Sequence, residues 1–72
     1  MRYQIKIRGL LDPSWSSQFN GLNITTVEEE DTPATLLTGP LPDQPALFGI
    51  LDTIRDLNLV LVNVTILEEE DR

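Results

Sequence analysis

The first residues of the chain alternate between apolar and polar side chains. Apolar Tyr3, Ile5 and Ile7 are interleaved with Arg2, Gln4, Lys6 and Arg8. This two-residue period predicts a half-buried strand with one apolar face and one basic face. Residues 59–67 alternate in the same way and predict a last strand. One of its faces is expected to carry Val60, Val62, Val64 and Ile66, and the other Leu61, Asn63, Thr65 and Leu67.

A helical period follows Asp43-Gln44-Pro45, and its apolar positions are Leu47, Ile50, Leu51, Ile54 and Leu57. Asp43 is suited to cap free backbone N–H groups, and proline is tolerated in a first turn. The pattern therefore predicts an amphipathic helix that begins near Asp43 and ends near Asn58. Gly49 lies inside it, and we expect this glycine to permit close approach to the sheet.

A shorter helix is predicted after the first strand. Asp12-Pro13 resembles an N-cap followed by proline at the first helical position, and Asn20-Gly21 is a typical left-handed stop. Trp15 and Phe19 are four residues apart, so an α-helix of about two turns would place them on one face.

Two further strands are predicted at residues 22–27 and 34–38, with a charged loop at residues 28–33 between them. Leu22 and Ile24 are expected on one face of the first of these strands. The resulting order is βαββαβ, which predicts an α+β domain of the ferredoxin-like class. Two helices, the first one short, would cover one face of a four-stranded antiparallel sheet. Residues 1–67 form this single domain, and residues 68–72 form an acidic C-terminal tail.

The two halves of the chain share a motif at residues 23–31 and 63–71, in which a polar-apolar strand runs into Glu-Glu-Glu-Asp. It is explained either by an internal duplication or by two edge strands that resemble each other independently.

Charge and composition exclude several classes of site. Of twelve acidic residues, eight lie in the runs at residues 28–31 and 68–71, and the net charge is −7. This acidity disfavours general affinity for nucleic acid or anionic membranes. With neither cysteine nor histidine in the chain, disulfides, thiolate zinc sites and iron–sulfur clusters are excluded. The acidic runs lack the alternate spacing and the glycine of a calcium loop, so we predict no metal and no cofactor.

Location is inferred from the apolar runs. None approaches the roughly 20 residues that span a bilayer, and residues 1–6 do not open an apolar signal segment. We therefore expect a cytoplasmic protein that binds neither membrane nor nucleic acid.

Nucleophilic catalysis is disfavoured for lack of a base. Ser14, Ser16 and Ser17 lie near Asp12, but Lys6 is the only lysine and is expected on the outer sheet face. Capping of the first helix explains these serines better, and we expect no enzymatic activity.

The candidate interface combines two strands of the outer sheet face. Its predicted residues are Arg2, Lys6, Arg8, Leu61, Asn63 and Thr65. The basic strip either keeps the face soluble or pairs with acidic groups of a second chain. RNA binding on such a sheet needs stacking aromatics, which are absent from the predicted outer face. Mixed apolar and polar residues on the last strand suit moderate association with a protein.

The segment Leu37-Thr38-Gly39-Pro40-Leu41-Pro42-Asp43-Gln44-Pro45-Ala46-Leu47, continued by Ile54-Arg55-Asp56-Leu57, resembles a family of small uncharacterised bacterial and archaeal proteins. The stretches Tyr3-Gln4-Ile5, Leu11-Asp12-Pro13-Ser14-Trp15-Ser16 and Phe19-Asn20-Gly21-Leu22 resemble the same family. The resemblance implies an intracellular protein without an assigned activity, and it supplies no catalytic residues. Phe48 departs from the family pattern, which has histidine there.

The functional prediction is a non-catalytic interaction or regulatory module. It is expected to associate with itself as a homodimer, through the open sheet face or a sheet edge. Two alternatives stay open. One is a small-molecule sensor of the ACT type that uses residues 9–14, and the other is an accessory subunit of an enzyme complex. Fold analogy alone does not decide between them.

Overall fold

The computed structural model describes residues 1–67, in which strands and helical segments alternate. These are β1 (Arg2–Arg8), a 3₁₀ helix (Pro13–Phe19), β2 (Asn23–Glu29), β3 (Thr32–Pro40), α1 (Gln44–Asp56) and β4 (Val60–Leu67). The acidic tail predicted at residues 68–72 lies outside the described residues.

The strands of this part of the chain form one antiparallel sheet in the order β2-β3-β1-β4. β1 is a central strand, and β2 and β4 form the two edges. The motif shared by the two halves of the chain therefore begins in both cases on an edge strand. The coarser prediction, an α+β domain with a four-stranded antiparallel sheet, is confirmed. The finer ferredoxin-like arrangement is not matched in full, because an α-helix between β1 and β2 is missing.

The core lies on one face of the central strands. Tyr3, Ile5 and Ile7 of β1 are buried, and they lie opposite Gly39, Leu37 and Thr35 of β3. Helix α1 buries Leu47, Ile50 and Ile54 in the same cluster. The predicted inward faces of β1 and of this helix are thus confirmed.

Helix α1 begins as predicted. The Asp43 carboxylate accepts a hydrogen bond from the Ala46 backbone N–H at 3.0 Å, and Asn58 adopts a positive φ of 62° just after the helix. The expectation for Gly49 was wrong. A Cβ atom at this position would meet no atom within 4 Å, and the residue is exposed, so no close approach requires a glycine here.

The first helix differs from the prediction in its period. It is capped by Asp12 and stopped by Asn20 at φ 59°, as expected, but it is a 3₁₀ helix. With three residues per turn, residues four apart point in directions about 120° apart. Phe19 is therefore fully buried while Trp15 is exposed, and the prediction that they share one face was wrong.

The predicted loop at residues 28–33 is mostly strand. β2 continues to Glu29, β3 begins at Thr32, and only Glu30 and Asp31 form the turn, with φ of 50° and 68°. Two central residues with positive φ are typical of the tight turns that match the twist of a hairpin. Asn-Gly is the usual signal for such a turn, so Glu-Asp gave no indication of it.

The register of β4 changes within the strand. Lys6 lies opposite Asn63, but Ile7 lies opposite Leu61, so Val62 is an extra residue at a β-bulge. Paired residues of an antiparallel sheet share a face, and the bulge therefore reverses the alternation on either side of it. Leu61 lies on the helix-covered side with Ile7, and the predicted outer position of Leu61 was wrong. Val60, predicted on the opposite face, lies on the outer side with Arg8.

Candidate protein interface

The basic strip of β1 is partly neutralised within the chain. Arg2, Lys6 and Arg8 all lie on the outer face, as predicted. The Lys6 ammonium, however, forms an ion pair with the Glu29 carboxylate of β2, across β3. Because β2 extends two residues beyond its predicted end, Glu29 reaches the sheet face instead of standing in a loop. The strip is therefore not a continuous site for an acidic partner, and only its two ends are exposed.

The outermost strand β4 is poorly covered. All residues from Val60 to Ile66 are exposed, and none of the residues of β4 belongs to the buried core cluster. Val64 is 37% exposed to solvent and Ile66 is 57% exposed, although both lie on the side of the sheet that carries α1. Ile5, opposite Val64 on the neighbouring strand, is 0% exposed. Helix α1 thus shares the core with β1 and contacts β4, but it leaves the helix side of β4 only partly covered.

The two edges of the sheet differ in how they discourage further pairing. β2 carries Glu28 and Glu29 and ends in the tight turn at Glu30 and Asp31. β4 reads Val-Leu-Val-Asn-Val-Thr-Ile-Leu, without a charge, a proline or a glycine. Charges, prolines and β-bulges are the usual features that protect an edge strand from pairing with another strand. The bulge at Val62 is the one such device on β4, and the five residues after it pair regularly with β1.

Other exposed apolar side chains lie outside β4. Met1 lies near the β1 end of the helix-covered side, because the Tyr3 hydroxyl donates to the Met1 sulfur at 3.7 Å. Phe48 of α1 is also largely exposed. Leu51, one helical turn beyond Phe48, is half-buried against the core. These residues show that the apolar surface is not confined to β4 alone.

The loop between β1 and the 3₁₀ helix is held by a buried hydroxyl. Thr35 on β3 donates to the Gly9 carbonyl at 2.7 Å and accepts from the Leu11 backbone N–H at 3.1 Å. The Gly9 N–H donates to the Pro33 carbonyl at 2.9 Å. These three backbone groups of the loop are therefore already hydrogen-bonded within the fold. A ligand of the predicted sensor would have to compete for them.

The serine cluster performs local structural tasks. The Asp12 carboxylate accepts from the Ser14 backbone N–H at 2.9 Å, and the Ser16 hydroxyl donates to the Leu22 carbonyl at 2.8 Å. The backbone and side-chain hydrogen bonds from Ser14 lower the pKa of Asp12 below its ordinary value of 3.8. These contacts make Asp12 the N-cap, with Ser14 as its donor, and they make Ser16 a link between the 3₁₀ helix and the segment that follows it. Among residues 1–67 we find no pocket and no group of three acidic side chains placed to hold a metal.

Of the six predicted interface residues, the structure brings five together on the outer face and places Leu61 on the other. Asn63 and Thr65 lie opposite Lys6 and Gln4, next to the basic strip. Sequence reasoning did not single out Val64 and Ile66, because alternation assigns them to a covered face. The uncharged run from Val60 to Leu67 at an edge is the signal that could have identified them.

Residues 2–65 match the model of a family that is described as a domain of unknown function (DUF8691). The chain belongs to the DUF8691 family. The match includes the strip on β1, the capped helices and most of β4, and it confirms that the resemblance is to an uncharacterised family. No curated protein and no solved structure matches this DUF8691 chain. No helix among the described residues is long and apolar enough to cross a membrane.

Proposed function

We propose that this DUF8691 protein is a non-catalytic interaction module that binds an extended protein strand along the edge of β4. The observation that carries the proposal is the exposure of an uncharged, apolar strand whose outer backbone groups have no neighbouring strand within residues 1–67. A strand added to such an edge forms main-chain hydrogen bonds, and its alternate side chains meet those of the edge strand. Here they would meet Val64 and Ile66 on one side and Asn63 and Thr65 on the other.

The two edges support this choice of site by contrast. An incoming strand at β2 would meet Glu28 and Glu29, whose desolvation is unfavourable. At β4 the same strand would cover apolar surface that α1 leaves open. Burial of that surface contributes about 25 cal/mol for each Å² removed from water. The apolar edge is therefore the favoured one.

We further propose that the topology is a reduced form of the ferredoxin-like arrangement. The order β2-β3-β1-β4, with helical segments between β1 and β2 and between β3 and β4, supports this assignment. The first crossover helix is shortened to a 3₁₀ helix. Both edges of such a sheet stay accessible, which suits a module that works by strand addition.

A sensor of the ACT type is less well supported, because its loop would have to release the backbone groups that Thr35 and Pro33 hold. An accessory subunit remains compatible with the proposed edge, since a strand of an enzyme partner could occupy it. The basic strip favours neither alternative, because Glu29 already pairs with its central residue.

The test uses a synthetic peptide of residues 59–67 as a probe strand, with alternate amides methylated so that only one of its edges can pair. We expect saturable binding by fluorescence anisotropy, weakened at least about tenfold by Val64→Lys or Ile66→Lys. A tenfold loss corresponds to about 1.4 kcal/mol. Val27→Lys is the matched control, because it introduces the same change on the opposite edge strand.

Both valine variants are first compared with the parent by circular dichroism and urea unfolding, so that a folding defect is separated from a binding defect. Binding no stronger than that of a scrambled peptide of the same composition would refute strand addition. Equal losses in Val64→Lys and Val27→Lys would refute the assignment to β4.

A further inference from the structure

We infer that the strand bound at β4 is β4 of a second copy of this chain, paired antiparallel with the two Val64 residues opposite each other. This inference rests on the proposed strand addition and names its partner. The result would be an eight-stranded sheet in a two-fold symmetric dimer. Because the two-fold axis would stand perpendicular to the sheet, helix α1 of both copies would lie on the same side.

The polarity of β4 carries the inference. In a two-fold antiparallel pair, each strand must be complementary to its own reversed sequence. Residues 61–67 read Leu-Val-Asn-Val-Thr-Ile-Leu, which is apolar-apolar-polar-apolar-polar-apolar-apolar in both directions about Val64. This symmetry lets two antiparallel copies of β4 place polar residues opposite polar ones and apolar residues opposite apolar ones.

The pairs formed about Val64 match in chemistry. Val64 meets Val64 of the partner on the helix side, where both lie opposite Ile5 of their own sheet. Asn63 meets the partner's Thr65 on the outer face, and their polar groups can exchange a hydrogen bond. Ile66 lies opposite the partner's Val62, the bulge residue at which the regular alternation of β4 ends. Cross-strand pairs of β-branched residues stabilise a sheet.

Neighbouring registers are less favourable. An axis at Asn63 places apolar Leu61 opposite Thr65, and an axis at Thr65 places Asn63 opposite apolar Leu67. Both also lose the valine pair at the centre. A shift by one residue would moreover move side chains to the other face of the partner's sheet. Of these three registers, the one about Val64 pairs like with like on a shared face from Asn63 to Thr65, and regular pairing ends at the bulge residue Val62, beyond which Leu61 lies on the helix side.

The dimer is expected to be weak and reversible. A single pair of edge strands buries less than the roughly 1,200 Å² of a standard stable interface. Each copy also carries a net charge of −7, which opposes association. The basic residues of β1 lie next to β4, whereas Glu28 and Glu29 lie at the far edge, so these two carboxylates stand away from the axis.

The register is tested by cysteine cross-linking, for which the chain provides no competing thiol. Facing residues of an antiparallel pair have Cα atoms about 4.5–5.5 Å apart, within the range of a disulfide. Val64→Cys is therefore expected to form a covalent dimer quickly under mild oxidation. Asn63→Cys and Thr65→Cys are expected to cross-link slowly alone and quickly when the two variants are mixed.

Thr25→Cys, at an exposed position on β2, is the control that measures the rate of cross-linking by random collision. Cross-linking of Val64→Cys no faster than that of Thr25→Cys would overturn the dimer. Faster cross-linking of Thr65→Cys alone than of Val64→Cys would overturn the register. If the probe peptide binds β4 and none of the β4 variants cross-links above the control, strand addition survives and the second copy is rejected. If the peptide also fails to bind, both proposals fail.

Discussion

Ile7 of β1 lies directly opposite Leu61 of β4, one residue away from the register that pairs Lys6 with Asn63. Val62 is the extra residue between these pairs. At Val62 the alternation of the edge strand between the two faces of the sheet is reversed. Before the bulge, Leu61 belongs to the helix-covered side, and after it Val64 and Ile66 do. Val60 and Leu67 lie opposite Arg8 and Arg2 on the outer side, so the apolar side chains of β4 are distributed over both faces of the edge.

The buried hydroxyl of Thr35 is expected to be important for stability. Thr35→Val preserves the shape of the side chain but removes both the donor to Gly9 and the acceptor for Leu11. A buried backbone group left without a partner costs about 1–3 kcal/mol. We expect urea unfolding to show a loss in that range. A change below a few tenths of a kcal/mol would show that water replaces the hydroxyl, and Thr35→Ser, which keeps it, serves as the control.

The two glycines Gly49 and Gly39 are expected to respond in opposite ways to alanine. Gly49 is exposed inside α1 with open space at its Cβ position, so Gly49→Ala should stabilise the fold by up to about 1 kcal/mol. A Cβ atom at Gly39 would lie 2.9 Å from the Leu22 side chain, and Gly39 has a φ of 155°. Gly39→Ala should therefore destabilise the fold. The melting temperatures of the two variants should move to either side of the parent value, and a decrease for Gly49→Ala would contradict its placement.

The pattern of apolar and polar residues was sufficient to predict the elements in which buried and exposed positions alternate regularly. β1 alternates without interruption and α1 has a cap, a period and a stop, so both were predicted with their correct inward faces. The bulge at Val62 could not be predicted, because it exists only in the pairing of β4 with β1. Trp15 and Phe19 were misassigned because the choice between a 3₁₀ helix and an α-helix depends on packing, which leaves little trace in seven residues.

The interface proposed at β4 lies within the interface predicted from the sequence, but its residues overlap with the predicted ones only in part. The mixed polarity of the outer face predicted an interface at an edge or an open face of the sheet. The ion pair between Lys6 and Glu29 was missed, because residue 29 was expected in a loop. Val64 and Ile66 were missed because alternation alone does not show how far a helix reaches across a sheet.

Stability should depend on pH through Asp12. Its pKa is lowered in the folded chain by the hydrogen bonds from Ser14, relative to an ordinary value of 3.8. A lowered folded pKa means that the stabilising contribution is present above the unfolded value of 3.8 and is lost as the pH falls through the folded pKa. Asp12→Asn can still accept the capping hydrogen bond but does not titrate.

The parent should therefore lose more stability than Asp12→Asn as the pH is lowered from about 5 to about 2, the range in which carboxylates titrate. Urea unfolding at several pH values measures this difference, and an NMR titration measures the pKa directly. Identical pH profiles, or an Asp12 pKa above 3.8, would contradict the capping geometry.

Salt should strengthen the dimer. Two chains that each carry a charge of −7 repel each other, and the central contacts of the proposed interface are apolar. Added sodium chloride shortens the range of that repulsion, to about 3 Å at 1 M. Sedimentation velocity should show a larger dimer fraction as salt is raised at constant protein concentration. A dimer that dissociates with salt would instead indicate an interface held by the basic strip of β1.

Hydrogen exchange at β4, followed residue by residue by NMR, tests the central claim most directly. In an antiparallel strand, alternate residues direct their N–H groups toward one neighbour, so about half of the amides of an unpaired edge face solvent. If β4 binds β4 of a second copy, the unprotected amides between Asn63 and Leu67 should become protected as the protein concentration rises from micromolar to millimolar, and Val64→Lys should abolish this change. If alternate amides of β4 exchange freely at every concentration, no strand is added at this edge and the account is wrong.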